Sequence, residues 1–254
     1  MVVESIPKVT GMIYAIAGFF ILVYLFHKDR FNKKIGYFFI IASTIMGFLV
    51  FAPMLPNQFQ LLILGNMGDG TQGQIAIVGF LLFIILTFVF GRIFCGYLCP
   101  IGAIQELVYH MPTKKLKITN KNLPIFVHSL FFVIFLILGF VFSMGFLTYF
   151  GFRDFFHLRI VSPFFYIFLT LLAISIFIYR PFCRFFCPYG MLLSLVSAKS
   201  IFKLQRKDDC IDCKKCERVC PTNEAGRDDL KQECYLCNRC KDACPVNAVI
   251  YSKR

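Results

Sequence analysis

The sequence predicts an α-helical polytopic membrane protein of about five spans, built on a duplicated two-helix hairpin and closed by a small cysteine-rich α+β domain. Three observations predict it. The 254-residue chain is 58% hydrophobic and only 16% charged, with 33 Phe and no Trp, a profile of membrane rather than soluble proteins. Nine of the fourteen acidic residues lie after residue 207, so the composition changes abruptly near Arg206. All twelve cysteines fall into four short runs, each closed by a proline.

A span needs about 20 mostly apolar residues. Five segments qualify: 9–26, 35–55, 75–94, 123–144 and 163–179. They divide the chain into a first span with its loop (1–34), a first hairpin (35–122), a second hairpin (123–206) and the polar tail (207–254). The first segment reads as a span rather than a signal peptide, because no basic leader or small-residue cleavage site accompanies it. The Gly-rich stretch Gly65-Asn66-Met67-Gly68-Asp69-Gly70 follows no strand and reads as a turn, not a phosphate loop.

The loops set the expected direction. Lys28, Arg30, Lys33 and Lys34 separate the first two segments, and Lys114, Lys115, Lys117 and Lys121 separate the third and fourth. Fifteen Lys and Arg follow the fifth. On the other side, 56–74 has no Lys or Arg, and 145–162 has only Arg153 and Arg159. Basic loops stay in the cytoplasm. The expected location is therefore the cytoplasmic membrane of a prokaryote, N-terminus outside and tail inside. Free thiols point the same way for the tail, since an oxidising compartment would pair them. This asymmetry also accounts for the net charge of +13. No basic helix or aromatic platform accompanies it, so no nucleic-acid partner is expected; lipid is.

The hairpin repeats at an offset of 88. Arg92, Phe94, Cys95, Cys99, Pro100 and Gly102 fall on Arg180, Phe182, Cys183, Cys187, Pro188 and Gly190. Parallel repeats are related by an axis along the membrane normal, which would bring four sulfurs around one point. The tail repeats at an offset of 24, as C-x2-C-x2-C-x3-C-P twice. That spacing is the bacterial-ferredoxin-like pattern of two [4Fe-4S] clusters, in which the fourth cysteine crosses to the other cluster. One cluster would take Cys210, Cys213, Cys216 and Cys244. The other would take Cys234, Cys237, Cys240 and Cys220. Zinc usually uses C-x2-C pairs set apart and fits this spacing less well.

The C-x3-C-P pairs leave more open. Pro100 and Pro188 suit the first position of a helix, and amphipathic stretches follow at 101–111 and 189–198. A helix N-terminus favours thiolate. Cys95, Cys99, Cys183 and Cys187 can then form a shared metal or iron–sulfur centre, redox-active or copper-handling thiols, or plain structural turns. Arg92 and Arg180, costly so close to hydrocarbon, would offset the charge of a four-thiolate centre. His128 lies inside a span, but no second span histidine completes a haem. No group reads as a general acid, base or nucleophile for bond chemistry.

These residues are together similar to a known group. The stretches Arg92–Pro100 and Arg180–Pro188, followed by the two-cluster tail, resemble the NapH/NosR/RdxA ferredoxin-type membrane proteins, with the smallest, NapH-like architecture. The resemblance implies an electron-transfer subunit of an oxidoreductase complex, acting between cytoplasmic-side [4Fe-4S] clusters, the four-cysteine centre, and the quinone pool or a partner redox enzyme. It also implies two alternatives: a copper-handling assembly factor for a respiratory oxidase, or a redox-sensing anchor. Lys214, Lys215, Arg218, Arg239 and Lys241 would favour an acidic redox partner.

Overall fold

The computed structural model describes residues 2–51, 54–65 and 71–253. Of the expected Gly-rich turn only Gly65 is among them; 66–70 lie outside the described residues. Apolar helices come first. Helix α1 runs Val2–His27 and α2 runs Lys33–Val50. Between them residues 28–32, polar but for Phe31, break the helix, with Asp29 at φ 58. Helix α3 (Leu55–Ile63) carries proline in its first turn, and α4 covers Thr71–Phe90. A five-residue π-helical turn, Phe94–Leu98, then leads into α5 (Pro100–Tyr109).

The second half repeats this series. Helix α6 is Asn122–Phe140, a 3-10 turn occupies Phe146–Phe150, α7 is Phe152–Phe156 and α8 is Pro163–Phe177. A second π turn, Phe182–Phe186, leads into α9 (Pro188–Ser197). Both π turns and both helices that follow them begin 88 residues apart. The halves interlock as a pseudo-twofold requires: α4 packs on α9 while α8 packs on α5. Gln60 and Thr148, also 88 apart, hydrogen-bond to each other at 3.3 Å. Residues related by a two-fold touch only beside its axis, so this pair marks it.

Among the described residues, three helices are long and apolar enough to cross a membrane: Thr10–His27 within α1, all of α2, and α6. The expected segments at 75–94 and 163–179 fall on α4, Thr71–Phe90, and α8, Pro163–Phe177. The outer face of α6 shows why lipid is the solvent. Phe126, Leu130, Val133, Ile137 and Phe140, three or four residues apart, are all more than 45% exposed. A continuous apolar stripe of that kind is stable against hydrocarbon, not water.

After Ser200 the chain leaves the bundle. Strand β1 (Phe202–Arg206) pairs antiparallel with β2 (Val249–Lys253), Phe202 opposite Lys253. Two short helices, α10 (Lys215–Val219) and α11 (Arg239–Asp242), lie between them and pack together. The backbone repeats at 24 here: Asp212 and Lys214 around Cys213, and Leu236 and Asn238 around Cys237, all have left-handed φ. Such turns aim successive N–H groups into a concavity suited to an anionic cluster. The lobe docks on the end of the bundle that carries the π turns. Tyr97 Oη donates to Leu236 O (2.9 Å), Tyr251 Oη to Phe90 O (2.8 Å) and Lys117 Nζ to Glu217 O (2.7 Å).

Candidate functional site

Each C-x3-C-P run is one π turn capped by a proline. Cys99 N donates to Phe94 O at 3.0 Å, five residues back. Single π turns of this kind recur at functional sites because the extra residue re-aims a side chain. Pro100 and Pro188 occupy the first turns of α5 and α9. Cys95, Cys99, Cys183 and Cys187 are buried and line one cavity with Arg92, Tyr189 and Gly190. The sulfurs receive donors: Gly190 N to Cys187 Sγ at 3.2 Å and Gln105 Nε2 to Cys183 Sγ at 3.4 Å. Gly102 and Gly190 keep the walls close. A Cβ on Gly102 would lie 2.6 Å from Cys95 O, and one on Gly190 3.1 Å from Cys183 O.

Burial pushes the Cys183 thiol up to about 12, with Arg180 as the strongest opposing influence. As a free thiol it stays protonated; a coordinated metal deprotonates a thiol outright. Among the described residues no three His, Cys, Asp or Glu side chains meet tightly enough to bind one metal ion directly. Four buried cysteines share the wall of one cavity, the ligand set a polynuclear cluster uses, and N–H donors like those on Cys183 and Cys187 tune such clusters. The residues present therefore fit an iron–sulfur centre. His128, weighed above as a haem ligand, is buried in α6 with Nε2 2.8 Å from Cys187 O, holding that loop.

In the lobe, Cys220, Cys234, Cys237 and Cys240 line a second cavity, together with Tyr179 and Tyr235. Burial, then the charges of Cys237 and Cys220, push Cys240 up to about 12. Burial also pushes Cys237 up to about 11, against the pull of Arg239. Cys210 and Cys213 lie on the loop before α10, Cys216 on α10 itself, and Cys244 just after α11. These four line none of the described cavities. Cys244 Sγ accepts from Ala248 N at 3.3 Å, the same kind of donor that meets Cys187.

The two arginines part company. Both are fully buried. Arg92 lines the four-cysteine cavity and donates from Nη1 to Glu233 Oε1 (2.9 Å) and Gln232 O (3.2 Å) of the lobe. Arg180 instead lines a larger neighbouring cavity. It pairs with Glu106 (Nε to Oε2, 2.8 Å) and donates to the backbone carbonyls of Gly96 (2.7 Å) and Cys95. Between the arginines stands the ring of Tyr235, 4.4 Å from the Arg92 guanidinium and 4.9 Å from that of Arg180. Its hydroxyl lies 3.4 Å from Cys183 O.

Sequence reasoning passed over Glu106, Glu233, Tyr97 and Tyr235. Glu106 did leave a signal: it is the only acidic residue between positions 70 and 153, and a lone acid in an apolar stretch needs a partner. Glu233 and the tyrosines carry none, because their partners lie some 50 to 140 residues away.

Comparison with known proteins gives two family models. One, described as a 4Fe-4S binding domain, matches residues 72–119 and 163–207, once in each repeat; the other, a 4Fe-4S dicluster domain, matches 196–252. The chain is similar to uncharacterized protein MJ0750 of Methanocaldococcus jannaschii, at 34% identity over 60% of this chain and 67% of that one. It is similar to the putative electron transport protein YccM of Escherichia coli, at 29% over 55% and 44% of the respective chains. It is also similar to the regulatory protein NosR of Pseudomonas aeruginosa, at 29% over 60% and 24%. The match thus spans less than half of YccM and a quarter of NosR. No solved structure matches the chain.

Proposed function

We infer the function from kinship and geometry together: the chain belongs to the family of ferredoxin-type 4Fe-4S membrane proteins that includes YccM and NosR. In our reading it is a membrane electron-transfer subunit. Cys210, Cys213, Cys216 and Cys244 hold one [4Fe-4S] cluster, and Cys234, Cys237, Cys240 and Cys220 hold a second. Cys95, Cys99, Cys183 and Cys187 hold a further iron–sulfur centre where the bundle meets the lobe. When bound, these groups supply one-electron redox chemistry; the protein's part is to bury, space and tune them. Electrons pass between the lobe, the four-cysteine centre, and the quinone pool or a partner redox enzyme. The bundle crosses the membrane five times, N-terminus outside, with the lobe in the cytoplasm.

One observation carries this reading. Cys234 is followed by Tyr235, whose hydroxyl reaches Cys183 O, so the residue next to a lobe cysteine touches a bundle cysteine directly. Copper handling asks instead for thiols that an incoming ion can reach, and these four are at most 9% exposed. The test is to add quinol and, separately, copper(II) to the purified, cluster-loaded protein while following visible absorbance and electron paramagnetic resonance. Reversible quinol-linked changes in cluster signals support electron transfer. Copper uptake at the four thiols, with no response to any quinol or redox partner, overturns it.

A further inference from the structure

The two repeats hold their arginines in the same place but pair them differently. Arg180 meets Glu106 of α5. At the matching place in α9 the chain has the uncharged Ser194, and Arg92 takes its carboxylate from Glu233 of the lobe instead. Glu106 therefore has no counterpart in the bundle, and it does more than pair with Arg180. Its Oε2 accepts from Arg180 Nε at 2.8 Å, and its Oε1 accepts from Arg239 Nη2 of the lobe at 2.6 Å. His110 Nε2, one turn on in α5, lies 3.4 Å from the same Oε1. Glu106 is only 3% exposed. Burial works against its charge, yet Arg180, His110 and Arg239 together hold the carboxyl below the ordinary carboxylate range, so it stays ionised.

Each guanidinium stands at a different set of cysteines. Arg180 donates to Cys95 O and, at 2.7 Å, to Gly96 O, both in the first C-x3-C loop. Arg239 lies between Cys237 and Cys240 in the lobe. The ring of Tyr179 rests against both, 5.5 Å from the Arg180 guanidinium and 5.2 Å from that of Arg239. Glu106, Arg180, Arg239, Gly96 and Cys237 all line one cavity of about 460 Å³ where bundle and lobe meet. The sulfurs feel these charges. Burial raises the Cys95, Cys183 and Cys237 thiols; Arg92 and Arg180 oppose the rise at the first two, and Arg239 opposes it at the third, where Glu106 adds to it.

We propose that Glu106 is a positioning residue for electron exchange between lobe and bundle: its one carboxylate holds a guanidinium beside the four-cysteine centre and another beside the Cys234 cluster, and so sets the charge that both feel. The proposal rests on the electron-transfer reading and names what ties its two halves together. An added electron is a negative charge, and a nearby cation favours it. With Glu106 ionised, the two arginines bring one net positive charge to the interface instead of two. The same three groups pin the Cys237–Cys240 segment against the Cys95 loop, so spacing and charge are set by one residue.

The test is a redox titration of the full chain, cluster-loaded in lipid nanodiscs and followed by electron paramagnetic resonance. Each signal is assigned by its loss in a ligand-cysteine variant. Three substitutions are compared at wild-type iron content: Glu106→Gln, which keeps the shape without the charge; Glu106→Asp, which keeps the charge; and Arg239→Gln, which removes the lobe cation. Glu106→Gln should favour reduction of the four-cysteine centre and of the Cys234 cluster by about tenfold each, roughly 59 mV for one electron, and move the Cys210 cluster far less. Glu106→Asp should stay near wild type. Arg239→Gln should move the same two signals the other way. A packing role alone would leave the potentials unmoved, or would shift Asp as much as Gln; either result overturns the proposal, and so does a shift at one centre only. If Glu106→Gln fails to assemble, Arg239→Gln decides, and no fall at the two centres overturns the proposal. A wild type with no four-cysteine signal sinks that part of the electron-transfer reading and the proposal with it. Three wild-type signals indifferent to the charge of Glu106 sink the proposal and leave the reading standing.

Discussion

The hydroxyl of Tyr235 stands 3.4 Å from the carbonyl oxygen of Cys183, so a residue bonded to Cys234 in the lobe reaches a cysteine of the bundle. A reciprocal contact runs from Tyr97, inside the first C-x3-C loop, to Leu236 O at 2.9 Å. Two tyrosines, one from each partner, thus stitch the two sets of cysteines together. Replacing Tyr235 by Phe keeps the ring between Arg92 and Arg180 and removes one buried hydrogen bond. The lobe should lose about 1 kcal/mol of stability and keep its iron, while electron equilibration between lobe and bundle slows. Denaturation followed by cluster absorbance, with rapid-mixing reduction, checks both.

Arg92 and Glu233 form a buried ion pair across the same interface, and Ser194 Oγ adds a donor to Glu233 Oε1 at 2.8 Å. Removing one partner leaves a stranded charge. Arg92→Met should cost about 3–5 kcal/mol, read as earlier cluster bleaching in denaturant. The double variant Arg92→Met/Glu233→Met should recover part of that loss, because no charge is then left alone.

Gly96 is where the lobe backbone comes closest. A Cβ there would lie 2.5 Å from Tyr235 O, and a carbonyl cannot swing aside as a side-chain tip can. Gly96→Ala should loosen the lobe without disturbing the bundle. Limited proteolysis in the 198–201 connection between α9 and β1 should accelerate, with helical content unchanged.

How much of this the sequence disclosed follows from the range of each interaction. Iron–sulfur ligation is written in local spacing, so the lobe type and the family were legible from Cys210 to Pro245. The apolar stripe of α6 is likewise a local period. The helices expected over 75–94 and 163–179 end at Phe90 and Phe177, sooner than hydropathy alone suggests. Hydropathy does not register the π turns and prolines that redirect the chain just after them. Nor could spacing separate Arg92 from Arg180. Both occupy the same place in their repeats, yet one turns to Glu233 of the lobe and the other to Glu106 of the bundle. The repeat is symmetric in sequence, but the single lobe docked on it is not.

Glu224 gives the lobe a pH response. It is buried, and burial together with the charge of Glu233 raises its pKa from 4.5 to about 8; Glu233 N donates to its Oε2 at 2.6 Å. Between those two values the folded lobe holds a proton that the unfolded chain has lost. Stability therefore falls as pH rises from about 4.5 toward 8. Melting of cluster absorbance across that window should show the decline, and Glu224→Gln should flatten it.

The account rests on the four bundle cysteines being cluster ligands. Iron and acid-labile sulfide should be counted in the wild type and in the Cys95/Cys99/Cys183/Cys187→Ser variant, purified anaerobically with lobe spectra matched. The wild type should hold about eight irons in the lobe and a further complement that the variant lacks. Equal iron and sulfide in both would contradict the account and leave the four sulfurs as packing alone.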